Sequence, residues 1–165
     1  MNILKFGGTS VGSAERMKAL VKLISSPDRK IVVLSAMSGT TNALVEICNS
    51  LYQKNSDIAN EQINKLETTY TSEVEKLFET EEYKTKGNDL IKNHFNYLRS
   101  FTLDMFTVNE EKAILAQGEL LSTALFHFHL QEIKIPSALL PALNFMRIDE
   151  NDEPQLPYIE KNLEV

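Results

Sequence analysis

Four consecutive apolar residues, Ile31-Val32-Val33-Leu34, three of them β-branched, constrain this chain more than anything else in it. A continuous run of that kind suits a strand buried on both faces, as the central strands of parallel sheets are. What precedes it fits the same scheme. Residues 2–6 are rich in Ile, Leu and Phe and run straight into glycines, which predicts a short buried strand. After Ser13, Met17, Leu20, Val21 and Ile24 recur at helical spacing, with Arg16, Lys18 and Lys22 between them. Ser25-Ser26-Pro27-Asp28 predicts the helix end, because Pro27 disfavours helical geometry at the residue before it. Strand, glycine turn, helix, strand is a βαβ unit, expected with a right-handed crossover.

The second strand opens into a small polar loop, residues 35–42, which feeds a helix striped by Leu44, Val45, Ile47, Cys48 and Leu51. Residues 53–108 differ in character, being charged and helical. Ile63, Leu66, Tyr70, Val74, Leu77 and Phe78 form one stripe; Leu90, Ile91, Phe95, Leu98, Phe101 and Leu103 form another. A break is expected near Lys86-Gly87-Asn88, giving a helical hairpin inserted into an α/β layer structure, with both stripes read as core. Residues 109–132 predict one further helix, capped by Asn109 with Glu110 and Glu111 in its first turn. Residues 135–140 predict a third strand with Pro136 at its start or edge. The tail reads as irregular until a short helix over 158–163.

With 165 residues, one domain with a real core is expected. The formal charge is -6 and no run of basic residues interrupts it, which argues against a nucleic-acid or anionic-membrane partner. No apolar run reaches the ~18 residues that a membrane span needs. The first residues lack the pattern of a secretory signal, so the cytoplasm is the expected location. Cys48 stands alone, reads as a small buried hydrophobe, and carries no metal-site spacing. His94, His127 and His129 show none either.

Three places could carry chemistry. In Lys5-Phe6-Gly7-Gly8-Thr9-Ser10, two glycines allow backbone to approach an anion, successive N–H groups can form a nest, and two hydroxyls stand ready. Lys5 falls at the end of a parallel strand, where open α/β sheets place their ligands, and its ammonium could neutralise a phosphoryl group in transfer. The same string also reads as a tight strand-to-helix turn with a serine cap. The loop at 35–42 lies on the same sheet edge and suits a polar small molecule, or is simply a Ser/Thr-rich helix cap. Gly118-Glu119 sits inside an apolar helical segment, where glycine costs ~1 kcal/mol against alanine. That cost suggests close approach of a backbone or ligand, with Glu119 free to receive an ammonium or to be an ordinary exposed helix residue.

Together these strings resemble the aspartate kinase family, within the amino-acid-kinase fold. Residues 5–11 match its Lys-Phe-Gly-Gly-Thr-Ser-Val opening. Ser35, Ala36, Gly39, Thr41 and Asn42 fit its Ser-Ala-x-x-Gly-x-Thr-Asn loop, and Gly118, Glu119 and Ser122 fit its Gly-Glu-x-x-Ser motif. Leu139-Leu140-Pro141-Ala142 and the divergent insert are similar to the bifunctional aspartate kinase–homoserine dehydrogenase branch. The resemblance implies a three-layer αβα sandwich with a mainly parallel sheet and a helical insertion at 53–108. It implies transfer of phosphate from MgATP to the side-chain carboxylate of L-aspartate, at the head of lysine, threonine and methionine biosynthesis. Lys5 would be catalytic. Phe6, Gly7, Gly8, Thr9 and Ser10 would join it around the ATP phosphates; Ser35, Thr41 and Glu119 would bind aspartate; no residue is assigned to a metal.

The family continues into an Arg-Gly-Gly-Ser-Asp type loop, a Trp-Thr-Asp type nucleotide segment and regulatory domains, none of which occurs in residues 1–165. The chain is therefore expected to be the N-terminal, substrate portion of a truncated kinase domain, inactive alone, from a parent expected to be a homo-oligomer. Kinases of the same fold that act on glutamate, acetylglutamate, carbamate or a nucleotide are the nearest alternatives. A non-catalytic small-molecule binding module is the alternative of a different class.

Overall fold

Strand β1 (Asn2–Phe6) and strand β2 (Lys30–Leu34) pair in parallel, in register from Asn2 opposite Lys30 to Phe6 opposite Leu34. Helix α1 (Ala14–Ile24) crosses between them. This computed structural model describes residues 1–163 other than 27 and 104. Ser13 starts α1 by turning extended and accepting the Arg16 N–H, which satisfies one of the free donors of the first turn. The helix ends at Ile24; Pro27, to which that end was ascribed, lies outside the described residues. Lys30 reaches back from β2 to the carbonyls of Ile24 and Ser26, at 2.7 and 2.6 Å.

The strands are less covered than their composition suggests. Alternate residues of a strand face opposite sides. Leu4, Phe6, Val32 and Leu34 pack toward the helices. On the other face Ile3 is 67% exposed and Val33 44%. A β-branched run suits burial on both faces, but the helices among the described residues cover one.

Helix α2 (Thr40–Tyr52) begins after Gly39, whose φ of +80° strains any other residue. Leu44, Ile47, Cys48 and Leu51 are buried, whereas Val45 lies off the stripe and is exposed. Helices α3 (Ser56–Leu77) and α4 (Glu81–Ser100) form the inserted hairpin. Its turn is at 78–80, not at Gly87. Gly87 remains helical because its missing side chain is needed for contact: a Cβ there would stand 2.8 Å from Phe78 Cε2 and 3.1 Å from Val74 Cγ1. Glu132 fixes the actual turn by accepting the N–H groups of Glu79 and Thr80 at 2.9 and 2.8 Å. Leu103, expected in the core stripe, lies beyond α4 and is 84% exposed.

The helix expected over 109–132 is two, α5 (Val108–Leu115) and α6 (Gln117–Glu132), divided by a turn at Ala116. Buried Gln117 is held there by the Ala113 carbonyl at 2.9 Å and by His94 at 2.6 Å. The cap of α5 is Thr107 rather than Asn109. Thr107 Oγ1 accepts the Asn109 N–H, and Glu110 returns the bond by accepting the Thr107 N–H at 2.9 Å, a reciprocal capping box.

No strand forms at 135–140. Lys134 takes a φ of +60°, its N–H meets the Gln131 carbonyl, and the Ile135 N–H meets the Leu130 carbonyl at 2.8 Å. This closure ties the last turn of α6, and Ile135 packs against the core as its apolar partner. The β-branched residue that suggested a strand is thus a helix terminator. The tail holds α7 (Ala142–Phe145) and α8 (Leu156–Asn162), the second starting two residues before the expected 158. No helix among the described residues is long and apolar enough to cross a membrane.

Candidate active site

Because β1 and β2 run parallel, the loops that follow them emerge on one edge, and they interlock there. The Ser35 N–H donates to the Phe6 carbonyl at 3.0 Å, extending the pairing one step past the strands. Gly7 then turns the chain, its carbonyl accepting the N–H groups of Ser10 and Val11 at 2.8 and 3.3 Å. Ser38 Oγ donates to the Gly8 carbonyl at 3.0 Å, and the Arg16 guanidinium donates to the Thr9 carbonyl. Three successive carbonyls are therefore tied to the protein. The N–H groups of Gly8 and Thr9 have no partner among the described residues. That asymmetry is what makes a backbone loop attract anions. The glycines are steric requirements: a Cβ at Gly8 would meet the Ala36 carbonyl at 3.0 Å, and one at Gly12 would fall 2.1 Å from Ser38 Oγ.

In the helix that follows, the first N–H, from Ala14, is already taken by Glu73 Oε2 at 2.7 Å. Lys5 lies one residue before the end of β1, opposite Val33, exposed, and without an ion pair or hydrogen bond among the described residues. Phe6 ends the strand and packs inward, while Thr9 and Ser10 present exposed hydroxyls.

Helix α6 holds the second loop from below. Ser122 Oγ, fully buried, donates to the Ser35 carbonyl at 2.7 Å, and Glu119 Oε1 accepts the Ala36 N–H at 3.2 Å. Gly118 permits this closeness, since a Cβ there would stand 2.7 Å from Ala36 Cβ. The close approach inferred from its cost is thus to Ala36. Glu119 is half-buried, and its Oε2 makes no hydrogen bond among the described residues. Thr41 is exposed on the first turn of α2; its neighbour Thr40 is buried and lies 2.9 Å from the Tyr70 hydroxyl. Burial pushes the Tyr70 phenol far above its usual range, and the Glu119 charge adds to that, so the hydroxyl stays protonated.

The structure therefore brings together residues 7–12, residues 35–39 and the start of α6, through the contacts Gly8–Ala36, Gly12–Ser38 and Ala36–Glu119. Lys5 and Thr41 lie on the same edge without touching Glu119. Arg16, Ser38, Tyr70 and Glu73 take part and were not singled out by sequence. Only Ser38 had a local signal, as a hydroxyl within the second loop. The result is an open shelf, with a cation and unpaired N–H groups on one side and a carboxylate with hydroxyls on the other. Two surface hollows lie elsewhere, one beside Tyr83, Lys86 and Lys134 and one around Asp149 and Tyr158.

Comparison with known proteins gives the family and the fold. The model of the amino acid kinase family matches residues 1–164. An aspartokinase of Rickettsia prowazekii is 51% identical over 57 residues, 32% of this chain and 13% of its own length. Chloroplastic aspartokinase 2 of Arabidopsis thaliana is 32% identical over 145 residues, 79% of this chain and 24% of its own. The crystal structure of E. coli aspartokinase III in complex with aspartate and ADP superimposes with a TM-score of 0.79 at 23% identity. It covers 98% of this chain, which spans 36% of that one. The fold is thus that α/β fold, of which the described residues carry two parallel strands and the inserted hairpin. Matched along all but its last residue, the chain belongs to the amino acid kinase family, and the relatives it aligns with there are aspartokinases.

Proposed function

We propose that these residues supply the phosphate loop and the amino-acid loop of an aspartate kinase, which moves the γ-phosphoryl group of ATP onto the side-chain carboxylate of L-aspartate. The observation that carries this reading is the shelf itself. Unpaired N–H groups of Gly8 and Thr9 and the Lys5 ammonium stand at the same sheet edge as a loop fastened to Glu119. Gly7, Gly8, Thr9 and Ser10, with Phe6 ending the strand beneath them, hold the ATP phosphates. Lys5 neutralises charge on the phosphoryl group as it moves. Glu119 takes the aspartate ammonium on Oε2, Thr41 offers its hydroxyl, and Ser35 lines the loop between.

In the transfer, an oxygen of the acceptor carboxylate bonds to the γ-phosphorus. The bond from that phosphorus to the β–γ bridging oxygen breaks, and ADP departs with the electron pair. The product is 4-phospho-L-aspartate. The acceptor is ionised at neutral pH, so no base is required. Loops without a histidine or cysteine suit such an acceptor. Magnesium bound to the nucleotide spreads the phosphate charge. In this reading the metal comes with the nucleotide, and no residue of the chain is assigned to it. The aspartokinase names of the relatives support the acceptor, and with it a step toward lysine, threonine and methionine. We take residues 1–165 to be the acceptor portion of that domain, inactive alone.

Hydroxylamine trapping of the acyl phosphate tests this in the full-length protein that carries these residues, with L-aspartate, L-glutamate and N-acetylglutamate offered in parallel. Hydroxamate is expected from L-aspartate alone, with a loss of about 10²–10³ in kcat for Lys5→Ala and a raised KM for aspartate in Glu119→Gln. Phosphorylation of the acylated acid but not of aspartate overturns the assignment. Aspartyl hydroxamate made by the isolated 165 residues overturns the inactivity.

A further inference from the structure

By its stripes alone the α3–α4 hairpin is added core, and two polar side chains on α3 depart from that description. Tyr70 is 1% exposed, and its hydroxyl lies 2.9 Å from Thr40 Oγ1, itself 2% exposed. Glu73 follows three residues later on the same helix face, with a side chain 14% exposed. Its Oε2 accepts the Ala14 N–H at 2.7 Å, while Oε1 meets exposed Lys76. Thr40 is the first residue of α2 and stands beside Thr41. Ala14 is the first residue of α1, two after Gly12. One face of α3 thus bonds to the residue that closes each loop.

Packing alone requires neither bond. Phenylalanine would fill the Tyr70 site without a hydroxyl to satisfy, and an apolar residue at 73 would not need a helix N-terminus to meet. The helix that carries these groups is itself backed. Val74 is fully buried, and Gly87 lets α4 lie against Val74 and Phe78 so closely that no Cβ fits between. A polar contact from a rigid element holds a loop in place better than loop-to-loop contacts alone.

We propose that the hairpin braces the two substrate loops, with Tyr70 and Glu73 as positioning residues that set the second loop and the first against a common support. The naming of the loops' ligand rests on the aspartate kinase reading; the brace does not.

The test uses the 165-residue chain with Tyr70→Phe, Thr40→Val, their combination, Glu73→Ala and Glu73→Gln. Amide hydrogen exchange is followed at Thr40, Ala43, Ala14 and Met17, alongside thermal unfolding and calorimetric titration with L-aspartate. Tyr70→Phe should speed exchange at Thr40 and Ala43 about three- to tenfold, the worth of one net hydrogen bond, and weaken L-aspartate binding by a similar factor. The combined variant should be no worse than the worse single one, because both delete the same bond. Glu73→Ala should speed exchange at Ala14 and Met17, and Glu73→Gln, which keeps an acceptor oxygen, should restore much of the protection. Wild-type exchange rates in folded Tyr70→Phe or Glu73→Ala overturn the brace, as does simple additivity of Tyr70→Phe and Thr40→Val. If the wild-type chain does not bind L-aspartate, the ligand assignment for these residues fails, and the exchange rates still decide the brace.

Discussion

Replacing Gly118 by alanine sets two well-defined effects against each other. The new Cβ would stand 2.7 Å from Ala36 Cβ, 3.1 Å from Thr40 Cγ2 and 3.6 Å from Leu44 Cδ1. Carbon atoms in good contact lie about 3.5–4.0 Å apart, so Ala36 and residue 118 must separate by roughly 1 Å. No rotamer change can achieve that, because both Cβ atoms are fixed to backbone. The Ala36 backbone is itself pinned, with its N–H on Glu119 and its carbonyl against Gly8. Overpacking of this kind costs about 1–3 kcal/mol. Alanine returns up to ~1 kcal/mol of helix propensity, and less than that in a first turn. The net is a destabilisation of about 1 kcal/mol, a drop of roughly 2–4 °C in the melting midpoint for a chain of this size. Thermal unfolding followed by circular dichroism measures it. Gly7→Ala is the comparison for stability, since a Cβ at Gly7 meets nothing within 4 Å. The displaced Ala36 should also loosen the Glu119 contact, which exchange at the Ala36 amide reports. A Gly118→Ala chain that melts higher than the wild type, with Ala36 exchange unchanged, refutes the reasoning: propensity would then be the whole effect.

Acid should weaken the fold in two stages. Burial, only partly offset by Glu132, lowers the His129 pKa below its ordinary 6.5, so the unfolded chain takes up a proton that the folded one resists. Stability is then lost as pH falls below about 6.5, with half-buried His94 acting in the same sense. For Glu132, burial pushes the carboxyl up, but the Thr80 N–H and hydroxyl and the Glu79 N–H outweigh it and leave it below 4.5. Its contribution is present above 4.5 and disappears as pH falls through the lower folded value. A Glu132→Gln chain should keep the first stage and lose the second; a melting midpoint flat from about pH 7 to pH 5 contradicts the first. Cys48 is fully buried and its thiol is pushed up to about 11, chiefly by burial and then by Glu111. A thiol reagent at neutral pH should label it only as fast as the chain opens, and rapid stoichiometric labelling of the folded chain would contradict this placement.

Glycine shows what could be read in one dimension and what could not. Residue propensity says that a helical glycine is costly, and it does not say what offsets the cost. At Gly118 the offset is a contact with Ala36, as inferred; at Gly87 it is a contact with Val74 and Phe78, where a break was expected. Both are helical glycines, and what differs is the partner, distant Ala36 in one case and Val74 and Phe78 of the preceding helix end in the other. Ile135 is a similar case, β-branched as a strand residue would be, yet spent on closing α6. Thr107 is different. The Glu110 that completes its capping box lies three residues on, so that signal was local and was passed over for Asn109.

The same division runs through the site. Lys5, Gly7, Gly8, Thr9, Ser10, Ser35, Thr41 and Glu119 sit in short strings whose composition points to ligand chemistry. Tyr70 and Glu73 sit in a stripe that reads as core, and their partners are 30 and 59 residues away. What the shelf can bind is therefore written locally, in groups that end or follow strands. How firmly it is held is written in the hairpin, through the Tyr70 hydroxyl and the Glu73 carboxylate. Substitutions within the loops should accordingly change which ligand binds, whereas substitutions on the inner face of α3 should change affinity and loop protection without changing the preference.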